Sequence, residues 1–192
     1  ERNLSELVER LARAASEKQA NQTKTKPQEP ASNKATEEAP NRPTQMLGRN
    51  ETLPSSSFGG VSFGELRGKL NLPVRGEITN RFGSAREDTG VTWKGLFIKA
   101  TEGAEVRAVA PGEIIFADWM RGFGNLLVVD HGGQYMTIYG NNQSLLKRPG
   151  DKLKVGDIIA TVGNSGGNEQ SGLYFEMRYQ GRAIDPSSWM NR

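Results

Sequence analysis

The chain has 192 residues with 25 Lys and Arg against 22 Asp and Glu, a formal charge of +3. That balance excludes the electrostatic footprint of a dedicated nucleic-acid binder, and no run approaches the 18 apolar residues of a membrane span. There is no Cys and one His, His131. Disulfides, thiolate zinc sites and Cys nucleophiles are therefore excluded, and one imidazole falls short of the two or three that a catalytic zinc takes. The opening Glu1-Arg2-Asn3 is not a signal peptide, and without an initiating Met the sequence reads as a trimmed fragment.

Residues 1–60 hold 5 of the 9 Pro and a single aromatic, Phe58, of the 14 in the chain. A packed core needs the apolar load that follows, so the globular unit is expected over 62–192. In the first segment Leu4, Leu7, Val8, Leu11 and Ala15 fall at helical spacing. They predict a helix within 1–18: a frayed stub, the end of a coiled coil, or a segment that docks on a partner or back onto the domain. Residues 19–61 are polar and Pro-dotted, the composition of a flexible linker.

Beyond residue 61, short apolar runs alternate with glycines. Strands are expected at Glu77–Phe82, Leu96–Ala100, Glu113–Asp118, Asn125–Asp130, Tyr135–Tyr139, Ile158–Val162 and Leu173–Tyr179. Turn chemistry at Pro111-Gly112, Gly132-Gly133, Pro149-Gly150-Asp151 and Gly163–Gly167 separates them. The fold class is all-β, an antiparallel sandwich or barrel-like domain with an N-terminal helical stub and linker. Asp185 caps one closing helical turn at Pro186–Trp189. The Gly163–Gly167 loop has no following helix and no Lys-Ser/Thr, which argues against a phosphate cradle.

Strand periodicity supplies a site. Tyr174, Glu176 and Arg178 share one face, and Phe97 and Lys99 share one opposite Leu96 and Ile98. If Ile, Leu and Met mark the core, Phe97, Tyr139 and Tyr174 all stand on the other face. The expectation is a groove with an aromatic floor and cationic walls, a surface suited to binding protein. The same tyrosines would also suit ordinary half-exposed strand positions, Trp93 and Trp119 suit packing, and Arg178 and Lys94 suit solvated charges.

The order of motifs resembles the LytM (M23) peptidoglycan metalloendopeptidase family over residues 66–190. The likeness rests on Leu72-Pro73-Val74-Arg75-Gly76, Arg81-Phe82-Gly83, Trp93-Lys94-Gly95-Leu96-Phe97-Ile98, Val109-Ala110-Pro111-Gly112, Gly124–Gly132, Thr137–Gly140, Gly150–Asp157 and Leu173–Arg178. Active members carry zinc-binding His and Asp four apart, a His-x-His pair before Phe-Glu, and a catalytic His after Tyr-Ala or Tyr-Gly. The matching positions here read Trp93 and Phe97, Gly172 and Tyr174, and Asn141. The resemblance therefore implies no metal, no cofactor and no peptidase activity.

Among degenerate members, the wording is nearest to periplasmic cell-division proteins that activate zinc-dependent N-acetylmuramoyl-L-alanine amidases. In those, the LytM domain binds the amidase, an upstream coiled coil connects to the FtsEX complex of the inner membrane, and an arm can occlude the groove. By position the resemblance nominates Lys94, Phe123, Leu126, Tyr139, Tyr174 and Arg178 as partner contacts. An enzyme with a relocated metal site and a passive cell-wall adhesion module are the alternatives.

Overall fold

The computed structural model describes residues 2–22, 61–85 and 91–191. The first stretch is a helix, α1 (Arg2–Gln22), which runs four residues beyond the expected 1–18. Residues 23–60 of the expected linker lie outside the described residues. A capped 3-10 turn, Phe63–Leu66, opens the second part and buries Phe63 and Leu66.

Among the described residues ten strands follow: β1 (Glu77–Asn80), β2 (Leu96–Lys99), β3 (Glu105–Arg107), β4 (Gly112–Met120), β5 (Gly124–Asp130), β6 (Tyr135–Leu145), β7 (Lys152–Leu153), β8 (Ile158–Val162), β9 (Gly172–Tyr179) and β10 (Arg182–Ile184). They join in the order β1-β2-β9-β6-β5-β4-β7, with β10 on β9 and a β3–β8 pair attached to β6. All of these pairs are antiparallel. The all-β class is as expected, and each expected strand is present, Ile158–Val162 with the expected bounds and the others with shifted ends. The three that the sequence did not announce, β3, β7 and β10, are two or three residues long. The closing turn Pro186–Ser188 is capped by Asp185, whose carboxylate accepts from the Ser187 N–H at 2.9 Å.

The central strands are buried on both faces. On β9, Leu173, Phe175 and Met177 enter one cluster with Leu96, Ile98, Leu127, Val129 and Tyr139. Tyr174, from the opposite face of β9, enters a second cluster with Phe97, Phe123, Leu126, Val128, Met136 and Ile138. That second cluster is closed over by α1, through Leu4 and Val8. Burial of those two, one turn apart on one helix face, follows from the 3.6-residue period.

Candidate partner-binding groove

The sheet supplies the groove by register. Phe97 of β2 pairs with Tyr174 of β9, Gly140 of β6 pairs with Tyr174 from the other side, and Ile138 pairs with Glu176. Residues directly opposite one another share a face, so Phe97, Tyr174, Glu176 and Ile138 line one surface. Trp93 stands at its edge, its ring 6.1 Å from both Phe97 and Tyr174, and the Phe123 ring lies 5.2 Å from Tyr174. Leu126 is fully buried in the same cluster, whereas Lys94 is exposed.

Two expectations about this surface are corrected. Tyr139 faces the other way: it packs 5.3 Å from Phe175 in the first cluster, fully buried. Ile138 and Met136, taken from sequence as core markers, instead line the groove. Apolar character could not choose the face of β6, because both faces of that strand are covered. The cationic wall is also altered. Arg178 is 5 % exposed, and its Nε donates to Glu176 Oε1 at 2.5 Å. Tyr174 donates its hydroxyl to Glu176 Oε2 at 2.5 Å, and Arg178 Nη1 reaches the Gly181 carbonyl at 3.2 Å. Among the described residues, the groove therefore carries at this point a buried, hydrogen-bonded ion pair, and the solvated reading of Arg178 fails. Trp119, expected to pack, is 58 % exposed.

The positions that the resemblance matches to metal ligands do not fit a zinc ion. Trp93 and Phe97 offer no ligand atom to Zn²⁺. Gly172 has no side chain, and a Cβ there would meet the Phe97 ring at 2.6 Å, so that ring fills the space. The hydroxyl of Tyr174 is turned to Glu176. Asn141, 1 % exposed, directs its side chain into backbone hydrogen bonds. Among the described residues no three His, Cys, Asp or Glu converge as a metal site.

His131 stands outside the groove. Its Nδ1 lies 2.6 Å from the Pro111 carbonyl and its Nε2 2.7 Å from Thr137 Oγ1. Thr137 Oγ1 shares a 3.1 Å hydrogen bond with the Tyr139 hydroxyl, which accepts from the Val109 N–H at 3.3 Å. A carbonyl only accepts, so the neutral ring carries its proton on Nδ1 and accepts at Nε2. Burial lowers the pKa of His131 to about 4, against the raising effect of the Pro111 carbonyl. Burial likewise raises that of Tyr139 to about 12. This is a structural network in the first cluster, stacked on Phe63 at 4.5 Å.

What the sequence did not reveal is that Leu4 and Val8 lie in the groove against the aromatic floor, and that Glu176 holds both Tyr174 and Arg178. The helical stripe was visible, but its target was not. Glu176 had a signal as well, an acid between Tyr and Arg at i±2 on one strand face.

The chain is 38 % identical to the murein hydrolase activator EnvC of Escherichia coli K12 over 193 residues, covering all of this chain and 44 % of that protein. It is 31 % identical to the murein hydrolase activator NlpD of the same organism over 119 residues, 62 % of this chain and 30 % of that one. The chain thus spans less than half of either relative. A zinc-containing peptidase from Vibrio cholerae superposes with a TM-score of 0.57 at 29 % identity, over 60 % of this chain and 38 % of that one. The model of peptidase family M23 matches residues 91–186, the stretch that holds β2 to β9 and the whole groove floor. By that match and this fold, the chain belongs to peptidase family M23.

Proposed function

We propose that the chain is a non-catalytic activator that binds zinc-dependent N-acetylmuramoyl-L-alanine amidases through the groove on β2, β6 and β9. In this reading α1 occupies the groove as a removable cover. The observation that carries it is the seating of Leu4 and Val8 against Phe97, Phe123, Leu126, Ile138 and Tyr174, of which Phe97 and Tyr174 stand at positions that the resemblance matches to metal ligands. A groove that accepts an apolar helix stripe from its own chain has the shape and chemistry to accept one from a partner. The names of the two activator relatives support the same role. They also support placement in the bacterial cell envelope, and within it our reading puts the chain in the periplasm. A coiled coil upstream, connecting to FtsEX, would then be the element that pulls α1 away.

The test is hydrolysis of dye-labelled peptidoglycan by an amidase of the source organism. The chain alone should release no dye. With the amidase it should stimulate release, and Val8→Glu, which puts a charge into the covered groove, should stimulate more strongly at the same concentration. An absence of binding and stimulation with every such amidase, for the wild type and for Val8→Glu, sinks the reading. Stoichiometric zinc with chelator-sensitive cleavage by the chain alone would replace it with an enzyme.

A further inference from the structure

Strand β6 changes partners in mid-course. Up to Gly140 it pairs with β9, and from Asn142 it pairs with β8. Asn141 stands at the fork, in a left-handed conformation (φ +66°) that few non-glycine residues adopt. The ends of β8 and β9 diverge there, joined only by a bridge between Gly163 and Gly172. A fork in a sheet leaves backbone donors and acceptors without a ladder partner, and buried ones are costly to leave unpaired.

The side chain of Asn141 fills that gap. Its Nδ2 donates to the Gly163 carbonyl at 2.9 Å and to the Gly172 carbonyl at 2.8 Å. Its Oδ1 accepts from the Gly166 N–H at 2.8 Å, while its backbone N–H donates to the Phe123 carbonyl at 2.6 Å. One residue thus ties the β4–β5 turn, the β8–β9 loop and the first residue of β9. An amide group carries two donors and an acceptor and can make all three side-chain bonds. A neutral imidazole has one donor and one acceptor, and a charged one has two donors and no acceptor. Only a carboxamide matches this fork, which is a physical reason for Asn at a position where the resemblance assigns active members a His.

We propose that Asn141 is a positioning residue for partner binding: it sets Phe123 and the start of β9, and with them the Phe123–Tyr174 wall of the groove, without touching the partner. The inference rests on the reading of the groove as the amidase site. The experiment is a double-mutant cycle in the full chain carrying Val8→Glu, the charge introduced to open the groove, with amidase binding measured by titration. Asn141→Gly keeps the backbone conformation and removes the amide. It should weaken binding about tenfold, the scale of lost buried hydrogen bonds. Maximal stimulation at saturation should be preserved. Phe123→Ala should weaken binding further, but in its background Asn141→Gly should cost less than about threefold, because the two act through one wall. Asn141→Asp would set a buried carboxylate oxygen against the Gly163 and Gly172 carbonyls and should weaken binding more than Asn141→Gly.

Should Asn141→Gly melt below the assay temperature, Gly166→Ala serves in its place. Its Cβ would come within 2.9 Å of Asn141 Oδ1 and 3.1 Å of the Phe123 carbonyl carbon. Strictly additive losses, or unchanged binding by a folded Asn141→Gly chain, overturn the inference while leaving the groove assignment intact. If the Val8→Glu parent itself binds no amidase, it is the groove assignment that fails.

Discussion

At the scale of single residues, two buried polar groups have consequences that can be measured. Glu176 is fully buried and is held by Arg178 and Tyr174. Removing the guanidinium takes a charge-assisted hydrogen bond from a fully buried carboxylate, so Arg178→Ala should destabilise the chain by about 3 kcal/mol in urea unfolding. The double variant Glu176→Ala, Arg178→Ala should be more stable than Arg178→Ala, since the buried carboxylate is removed together with its guanidinium. If the double variant is the weaker, the pair is not the unit described. A binding loss seen for Arg178→Ala must be read beside that stability change. Tyr174→Ala leaves the Arg178–Glu176 pair in place but takes the phenol hydrogen bond from Glu176, so its stability is measured as well; loss of its ring from the centre of the groove should weaken amidase binding by about 2 kcal/mol, thirtyfold. His131 provides the pH test. Its pKa is about 4 in the folded chain against 6.5 for the free group, so the unfolded chain binds more protons between those values. Stability is then complete above pH 6.5 and falls as the pH drops towards 4, with a maximal slope of about 1 kcal/mol per pH unit. Charging the ring would also turn Nε2 from an acceptor into a donor, so Thr137 Oγ1 could no longer donate to it. Urea midpoints from pH 7.5 to 4.5 should show the fall, and His131→Gln should flatten it.

Between the residue and the fold stands α1. A lone helix of this length is marginal in water, and its order comes from packing. Leu4 and Val8 are buried, while Leu7, Leu11, Ala12 and Ala15 pack only in part. Cavities of about 400 Å³ and 450 Å³ flank its second half, lined by Ala12, Ala15 and Met136 on one side and by Leu11, Ala14 and Pro149 on the other. The cover is thus anchored near its N-terminus and loosely fitted beyond. Amide exchange should be far faster along α1 than along β9, where both faces are buried; equal protection would mean that the helix is part of the core. The same asymmetry explains what the sequence could and could not yield. The helix, the strand faces of β2 and β9 and the capped closing turn were legible because each is a local period or a local cap. The face of β6 was not, since Tyr139 and Ile138 are both buried and only the pairing of Tyr139 with Phe175 decides between them. Nor were β3, β7 and β10, whose two or three residues are too few to show a period and whose existence depends on the strands they join. The seat of Leu4 and Val8 lies roughly ninety positions or more away along the chain, beyond the reach of any window.

For the molecule as a whole, one sheet separates two apolar clusters of different standing. The first is sealed by strands, the Phe63–Leu66 turn and Trp189. The second is closed by a single helix on a segment that precedes the domain. Cooperative unfolding requires that elements share contacts, and elements held by few of them open first. The two clusters should therefore part company in denaturant. Helical ellipticity should fall at concentrations where the near-ultraviolet signal of the first cluster is still native. Emission from Trp93, which stands beside Phe97 and Tyr174 at the groove edge, should change with the helix, while that of buried Trp189 should change only with the main transition. Trp93→Phe should remove the early emission phase and keep the early loss of ellipticity. Val8→Glu should lack the early phase in both signals, its helix having left the groove at the outset. Coincident transitions for all probes in the wild-type chain would show that α1 and the sheet form one unit. A partner would then have to disrupt the core to enter the groove, and a removable cover would no longer be physically reasonable.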